Sequence, residues 1–105
     1  MSSGLSDLGR FSEPALLILI SLAGGPKHGY AMIEDIATIG GNRLGPGTLY
    51  GAIARLEKLG LIEPTLPSGR RRPYRLTTAG AVALRAELDG LQRLAVAGLQ
   101  RMATS

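Results

Sequence analysis

At Gly60 the pattern of the chain changes period, and that change restricts the fold more than any other feature. Before it, Leu49, Ile53, Leu56 and Leu59 recur at spacings of 4, 3 and 3, which predicts one apolar stripe on a helix over 46–59. Gly45 is placed to cap that helix. Pro46 suits its first position, where a missing N–H costs nothing. Gly60 is expected to end it as a left-handed C-cap. Beyond it, 61–66 and 73–77 are extended arms separated by Pro67-Ser68-Gly69 and an arginine run, the pattern of a β-hairpin. Alternation turns Tyr74 and Leu76 inward and Arg75 outward. Pro64 has no N–H for a ladder, so its strand belongs at an edge or ends early.

Upstream, Ser12 or Glu13 followed by Pro14 starts a helix that runs to about Ala23. Ala15, Leu16, Leu17, Ile18, Leu19, Ile20 and Leu22 make it apolar around its whole circumference, so it needs neighbours on most sides and is the expected hub of the core. Gly24-Gly25-Pro26 breaks it. Tyr30, Ile33, Ile36 and Ala37 then mark the buried face of a second helix, which ends at Gly40-Gly41. Residues 1–11, with three Ser and two Gly, read as a flexible arm.

Thr77 or Thr78 caps a long final helix. Along it Leu84, Leu88, Leu91, Ala95, Gly98 and Met102 follow 4, 3, 4, 3, 4 spacing, the seam of a helix packed along another helix, and Leu94 and Leu99 widen the stripe. Nothing else in the chain is long enough to cover it, so a homodimer is expected, with Leu84, Leu88, Leu91, Ala95 and Met102 in the seam. The fold class is therefore mainly α with a small β-hairpin. A winged helix-turn-helix spans 12–77 and a long C-terminal dimerisation helix spans 78–105.

With 105 residues, 45% of them hydrophobic, one domain with a modest core is expected. The net charge is +4, but its location says more. Between Arg43 and Arg75 there are seven basic and two acidic residues, against five and six in the rest of the chain. A basic excess in one segment points to a polyanion, most often nucleic acid. On the helix over 46–59 the face opposite the apolar stripe carries Thr48, Gly51, Ala52, Arg55 and Lys58, with Tyr50 at its flank. Such small side chains let a helix approach DNA closely. Thr48 and Tyr50 offer hydroxyls beside the helix start, Arg55 is the candidate for reading a guanine, and alanines at 52 and 54 suit thymine methyl groups. Arg70, Arg71 and Arg72 beside the turn can neutralise phosphates or enter a narrow minor groove.

Other chemistries lack their residues. The chain contains no cysteine, which excludes disulfides and thiolate metal sites and suits a reducing cytoplasm. His28 is the single histidine, so a structural metal and a nucleophile-base pair are both disfavoured: no metal, no cofactor and no enzyme activity are expected. Gly40 and Gly45 have phosphate-loop spacing, but Pro46-Gly47 stands where Lys and Ser or Thr are required. The apolar run at 15–23 is far short of the roughly 18 residues of a membrane helix. It imitates a secretory core, yet Glu13 abuts it and Asp7 lies in what should be a cationic leader, so a buried helix in a cytoplasmic, nucleoid-associated protein is expected.

The wording of several segments resembles the PadR family of bacterial transcriptional regulators. The matching pieces are His28-Gly29-Tyr30, Pro46-Gly47-Thr48-Leu49-Tyr50, Arg55-Leu56-Glu57-Lys58, Gly60-Leu61-Ile62, Arg71-Arg72-Pro73-Tyr74-Arg75-Leu76-Thr77 and Gly80, in order and at the right spacing. The short tail is similar to the subgroup with a single dimerisation helix. The resemblance implies a ligand-responsive repressor that binds a palindromic operator in double-stranded DNA as a homodimer. The recognition helix over 46–59 would enter the major groove and the wing over 67–72 would follow the backbone or minor groove. Gly47, Thr48, Tyr50, Arg55, Arg70, Arg71 and Arg72 are then the DNA-binding set. Gly51 departs from the proline common in the family. Short members that bind flat aromatic drugs use tryptophans of the dimerisation helix. Here Leu91 holds the corresponding position, so the candidate pocket for a small apolar effector is Leu88, Leu91 and Ala95. The competing reading is a winged-helix module for protein contact, its basic hairpin docking an acidic partner.

Overall fold

The computed structural model describes residues 13–40, 42–67 and 69–104. Its elements are α1 (Glu13–Ala23), α2 (Gly29–Thr38), α3 (Pro46–Lys58), β1 (Ile62–Pro64), β2 (Tyr74–Leu76) and α4 (Thr78–Thr104). The arm expected over 1–11 lies outside the described residues. So do Ser12, Gly41, Ser68 and Ser105.

The hub is α1, which packs against α2, α3, α4 and β2. Ile18 and Leu19 are fully buried on it, beside Met32 and Ile36 of α2, Leu49 and Leu56 of α3, and Ile62 of β1. Each such side chain contributes about 1.5–3 kcal/mol by leaving water. A polar cluster ties the end of α1 to α2. The Lys27 ammonium donates to the Ser21 carbonyl at 2.6 Å, favourable at a helix C-terminus, while the Ser21 hydroxyl donates to the Asp35 carboxylate at 2.6 Å.

The Gly60 expectation holds in detail. Gly60 has φ +78°, its N–H donates to Glu57, and the Leu61 N–H reaches back to the Leu56 carbonyl, so α3 ends in a Schellman motif that turns the chain straight into β1. Gly45 and Pro46 open α3 as expected. At the start of α4, the Thr77 hydroxyl accepts from the Gly80 N–H at 2.9 Å.

β1 and β2 pair antiparallel, with Glu63 opposite Arg75 and Pro64 opposite Tyr74. Tyr74 exchanges both of its backbone hydrogen bonds with Lys27 on the other side, at 2.9 and 3.1 Å. Pro64 therefore sits where the ladder asks for no N–H, on an outer strand that ends with it.

Several expected faces are corrected. Leu59 is 64% exposed, because it is the C-cap of α3 rather than a fourth member of the stripe. Ala52 is buried, because it lies four residues before Leu56 on the same side of α3. It is therefore removed from the outer face and from thymine contact, which leaves Ala54 there. On α2, Tyr30 and Ala37 are exposed, and Gly29 and Met32 join Ile33 and Ile36 on the buried face. Leu84, expected in a dimer seam, is 4% exposed within the chain's own core, because the first turns of α4 lie on α1 and β2. The exposed part of the stripe therefore starts at Leu88.

Beyond Leu84 the helix projects from the domain, giving extents of 56 × 27 × 21 Å. Leu88, Leu91, Leu94, Leu99 and Met102 are all exposed along it.

Candidate nucleic-acid interface

Four elements converge on one side of the molecule because Lys27 pairs with Tyr74. That pairing is antiparallel, so residues following Lys27 lie beside residues preceding Tyr74. His28, Gly29 and Tyr30 at the start of α2 are thereby brought to Arg70, Arg71 and Arg72 of the wing, and Tyr50 of α3 closes the group. Together with Tyr74 they line a cleft of about 320 Å³. No carboxylate is among these lining residues. The room is roughly ten water volumes, ample for a hydrated phosphate group.

Tyr50 is held by a missing side chain. Its phenol lies over Gly29 so closely that a Cβ there would meet the hydroxyl and the ring carbon bearing it. Tyr74 is half-buried at the cleft floor. Burial pushes its phenol above the ordinary tyrosine value, and the charge of Glu57 adds to this while Arg72 opposes it.

His28 is the N-cap of α2, and its Nδ1 accepts from the Ala31 N–H at 3.3 Å. Its Nε2 lies 3.2 Å from a guanidinium nitrogen of Arg71. In the sequence His28 belongs to the His28-Gly29-Tyr30 segment of the family resemblance, and no local pattern assigns it this contact. The one available signal was its place just before the first helical residue, which is a capping position.

The outward face of α3 carries Gly47, Thr48, Tyr50, Gly51, Ala54, Arg55 and Lys58, all exposed. The other two cations of this segment are committed to carboxylates. Arg75 bonds Glu63 across the hairpin at 2.7 Å, and Arg43 bonds Glu34 at 2.6 Å, which holds that carboxyl below its usual range. Arg55 and Lys58 of α3 and Arg70, Arg71 and Arg72 of the wing are exposed. Of the candidate effector residues, Leu88 and Leu91 are 37% and 42% exposed, on a stretch of helix that no other element among the described residues covers.

A helix with a small, basic outer face beside a cationic hairpin is the arrangement of a winged helix-turn-helix, and the comparisons agree. Residues 17–86 match the profile of the Transcriptional regulator PadR-like family. The chain belongs to that family. A transcriptional regulator of Mycobacterium tuberculosis is 40% identical over 83 residues, covering 76% of this chain and 77% of its own length. An uncharacterized 37.1 kDa protein in a transposon of Streptomyces fradiae is 47% identical over 85 residues, which cover 81% of this chain and only 25% of that protein. The chain thus spans a quarter of the length of that relative. The crystal structure of a PadR family transcription regulator from Clostridium difficile superposes with a TM-score of 0.75 at 22% identity, over 85% of this chain and 97% of that one, and shows the fold. Membership makes this PadR-like chain a transcriptional regulator of the DNA-binding winged-helix type, and the Mycobacterium tuberculosis relative is likewise a transcriptional regulator. Among the described residues no helix is long and apolar enough to cross a membrane.

Proposed function

We propose that the chain is a sequence-specific repressor that binds a palindromic operator as a homodimer. α3 enters the major groove, presenting Gly47, Thr48, Tyr50 and Arg55, and Arg70, Arg71 and Arg72 of the wing take the backbone or minor groove. The observation that carries this reading is the shared cleft, which brings Tyr50 of α3, the start of α2 and the arginine run of the wing to one face. A basic hairpin aimed at an acidic protein would not need a recognition helix with glycines at 47 and 51 and alanine at 54 turned outward beside it.

The apolar stripe from Leu88 to Met102 supports the dimer, because it continues the side of α4 on which Leu84 is already buried. Two recognition helices would then stand about 34–36 Å apart, one turn of the duplex. An apolar effector held near Leu88, Leu91 and Ala95 would act by changing the angle between the final helices and hence that spacing.

Fluorescence anisotropy with promoter and scrambled duplexes tests the reading. Selective binding that weakens steeply with salt is expected. Changing Arg70, Arg71 and Arg72 together to Ala should lower the log-log salt slope by up to about 2.7, at about 0.9 per phosphate released. Binding to an acidic protein partner with no binding to any duplex at low salt would overturn it.

A further inference from the structure

His28 and Arg71 present a donor facing a donor. A neutral imidazole has one N–H and one acceptor nitrogen. The acceptor is committed, because Nδ1 takes the Ala31 N–H that opens α2. The proton must then sit on Nε2, and Nε2 points at a guanidinium nitrogen 3.2 Å away that can only donate. Reversing the tautomer only moves the conflict, since an Nδ1–H would then face the Ala31 N–H. A neutral ring therefore cannot accept from both Ala31 and Arg71. What satisfies both is an acceptor set between them, and a negatively charged one satisfies Arg71 best.

The surroundings fit that acceptor. The cleft that His28 and Arg71 share is also lined by Arg70, Arg72 and the phenols of Tyr30, Tyr50 and Tyr74, groups that donate hydrogen bonds or carry positive charge. Burial, with the charge of nearby Glu57 adding to it, raises the Tyr74 phenol, so that phenol keeps its proton to donate.

We infer that His28 Nε2–H and the Arg71 guanidinium close on one backbone phosphate of bound DNA, joining the start of α2 and the wing through a single anion. The inference rests on the DNA-binding reading above. Its consequence is coupling. The wing and the helix-turn-helix dock on the backbone together, and losing either partner removes the benefit of the other.

His28→Asn separates the two roles of the side chain. Asparagine is among the best N-cap residues, so it keeps α2 capped, but it does not carry a donor out to Arg71. Binding to the promoter duplex should fall roughly tenfold, the scale of one hydrogen bond to a charged group, with the salt slope unchanged because a neutral imidazole releases no counterion. Arg71→Ala should weaken binding and also lower the slope by about 0.9. In the Arg71→Ala background His28→Asn should cost less than twofold, the signature of a shared phosphate. Equal penalties with and without Arg71, or wild-type affinity in His28→Asn, would overturn the clamp.

Because His28 is the single histidine, its ring nitrogens give one resolvable pair of NMR signals. In the wild-type protein the neutral ring should show the Nε2–H tautomer. Inorganic phosphate should shift Nε2 more than Nδ1, and Arg71→Ala should abolish the shift. An Nδ1–H tautomer or an unresponsive ring would overturn the clamp whatever the duplex shows. A wild-type protein that responds to phosphate and binds no duplex would instead retire the proposed function.

Discussion

Gly80 lies against the main chain of Leu61 with no room between them, so that a Cβ at position 80 would fall on the Leu61 carbonyl oxygen. The same carbonyl accepts the Thr77 N–H at 3.1 Å. This contact is where the first turn of α4 meets the chain leaving α3 and entering the wing, so helix, hairpin and recognition element share one joint. Gly80→Ala cannot be absorbed by swinging a side chain, because the obstacle is backbone. A loss of about 1–3 kcal/mol is expected, as for overpacking a filled core. Thermal unfolding should show the drop, and operator affinity should fall because α4 shifts against α3. An unchanged melting temperature would mean that α4 does not rest on Leu61.

Gly29→Ala tests the other close approach and should behave differently. The obstacle there is the end of the Tyr50 side chain, which is 52% exposed and free to swing outward. Stability should change by less than about 1 kcal/mol, because alanine also favours the helix over glycine. DNA affinity should fall nonetheless, since Tyr50 leaves the cleft. Tyr50→Phe removes the atom in closest contact, so in that background Gly29→Ala should have a smaller effect on binding. Additive losses would show that the ring does not need Gly29.

The ends of α3 were legible because Pro46 and Gly60 each have a backbone constraint that other residues do not share. Faces were less so. Spacing located the stripe of α3 but not its width, and this put Ala52 outside and Leu59 inside. Tyr30 lies outside the core because a helical period fits either neighbouring face of a short helix, and the buried face is the one that puts Met32 in the core cluster with Ile18 and Leu19. Leu84 belongs to the same stripe as Leu88 and Leu91. Only the packing of α1 and β2 decides where the domain stops covering it. The role of His28 depends on Lys27 meeting Tyr74 across the chain, a contact that no local pattern encodes.

Tyr74 gives a pH dependence with a definite sign. Burial, its largest cause, raises the folded phenol above the ordinary value of 10.0. A raised value means that the stabilisation is fully present below the unfolded value and is lost as pH rises through the folded one. Melts taken from pH 9 upward should therefore show wild type losing stability above about pH 10, and Tyr74→Phe losing less over the same window. Absorbance at the phenolate band should show a component above the ordinary tyrosine value and lose it in Tyr74→Phe. Parallel loss in both proteins would assign the alkaline transition to another group.

The exposed seam of α4 makes the strongest demand on the proposed dimer. A 27-residue helix measures about 40 Å, and its distal half carries Leu91, Leu94, Leu99 and Met102 into solvent. A distal stretch of about 14 residues is marginal as a helix in water, so a second copy laid along the stripe would stabilise the helix as well as the pair. Leu91→Glu places a charge at the middle of the seam, beyond the part of α4 that the chain's own core covers. Light scattering should find wild type as a dimer at micromolar concentration and Leu91→Glu as a monomer, with α1, α2 and α3 still folded by circular dichroism. Operator binding should weaken by roughly 10²–10⁴, because the second half-site is no longer held at high effective concentration. Leu84→Glu should instead unfold the domain, since Leu84 belongs to its core. A wild-type monomer, or a Leu91→Glu dimer with full operator affinity, would remove the stripe from the function.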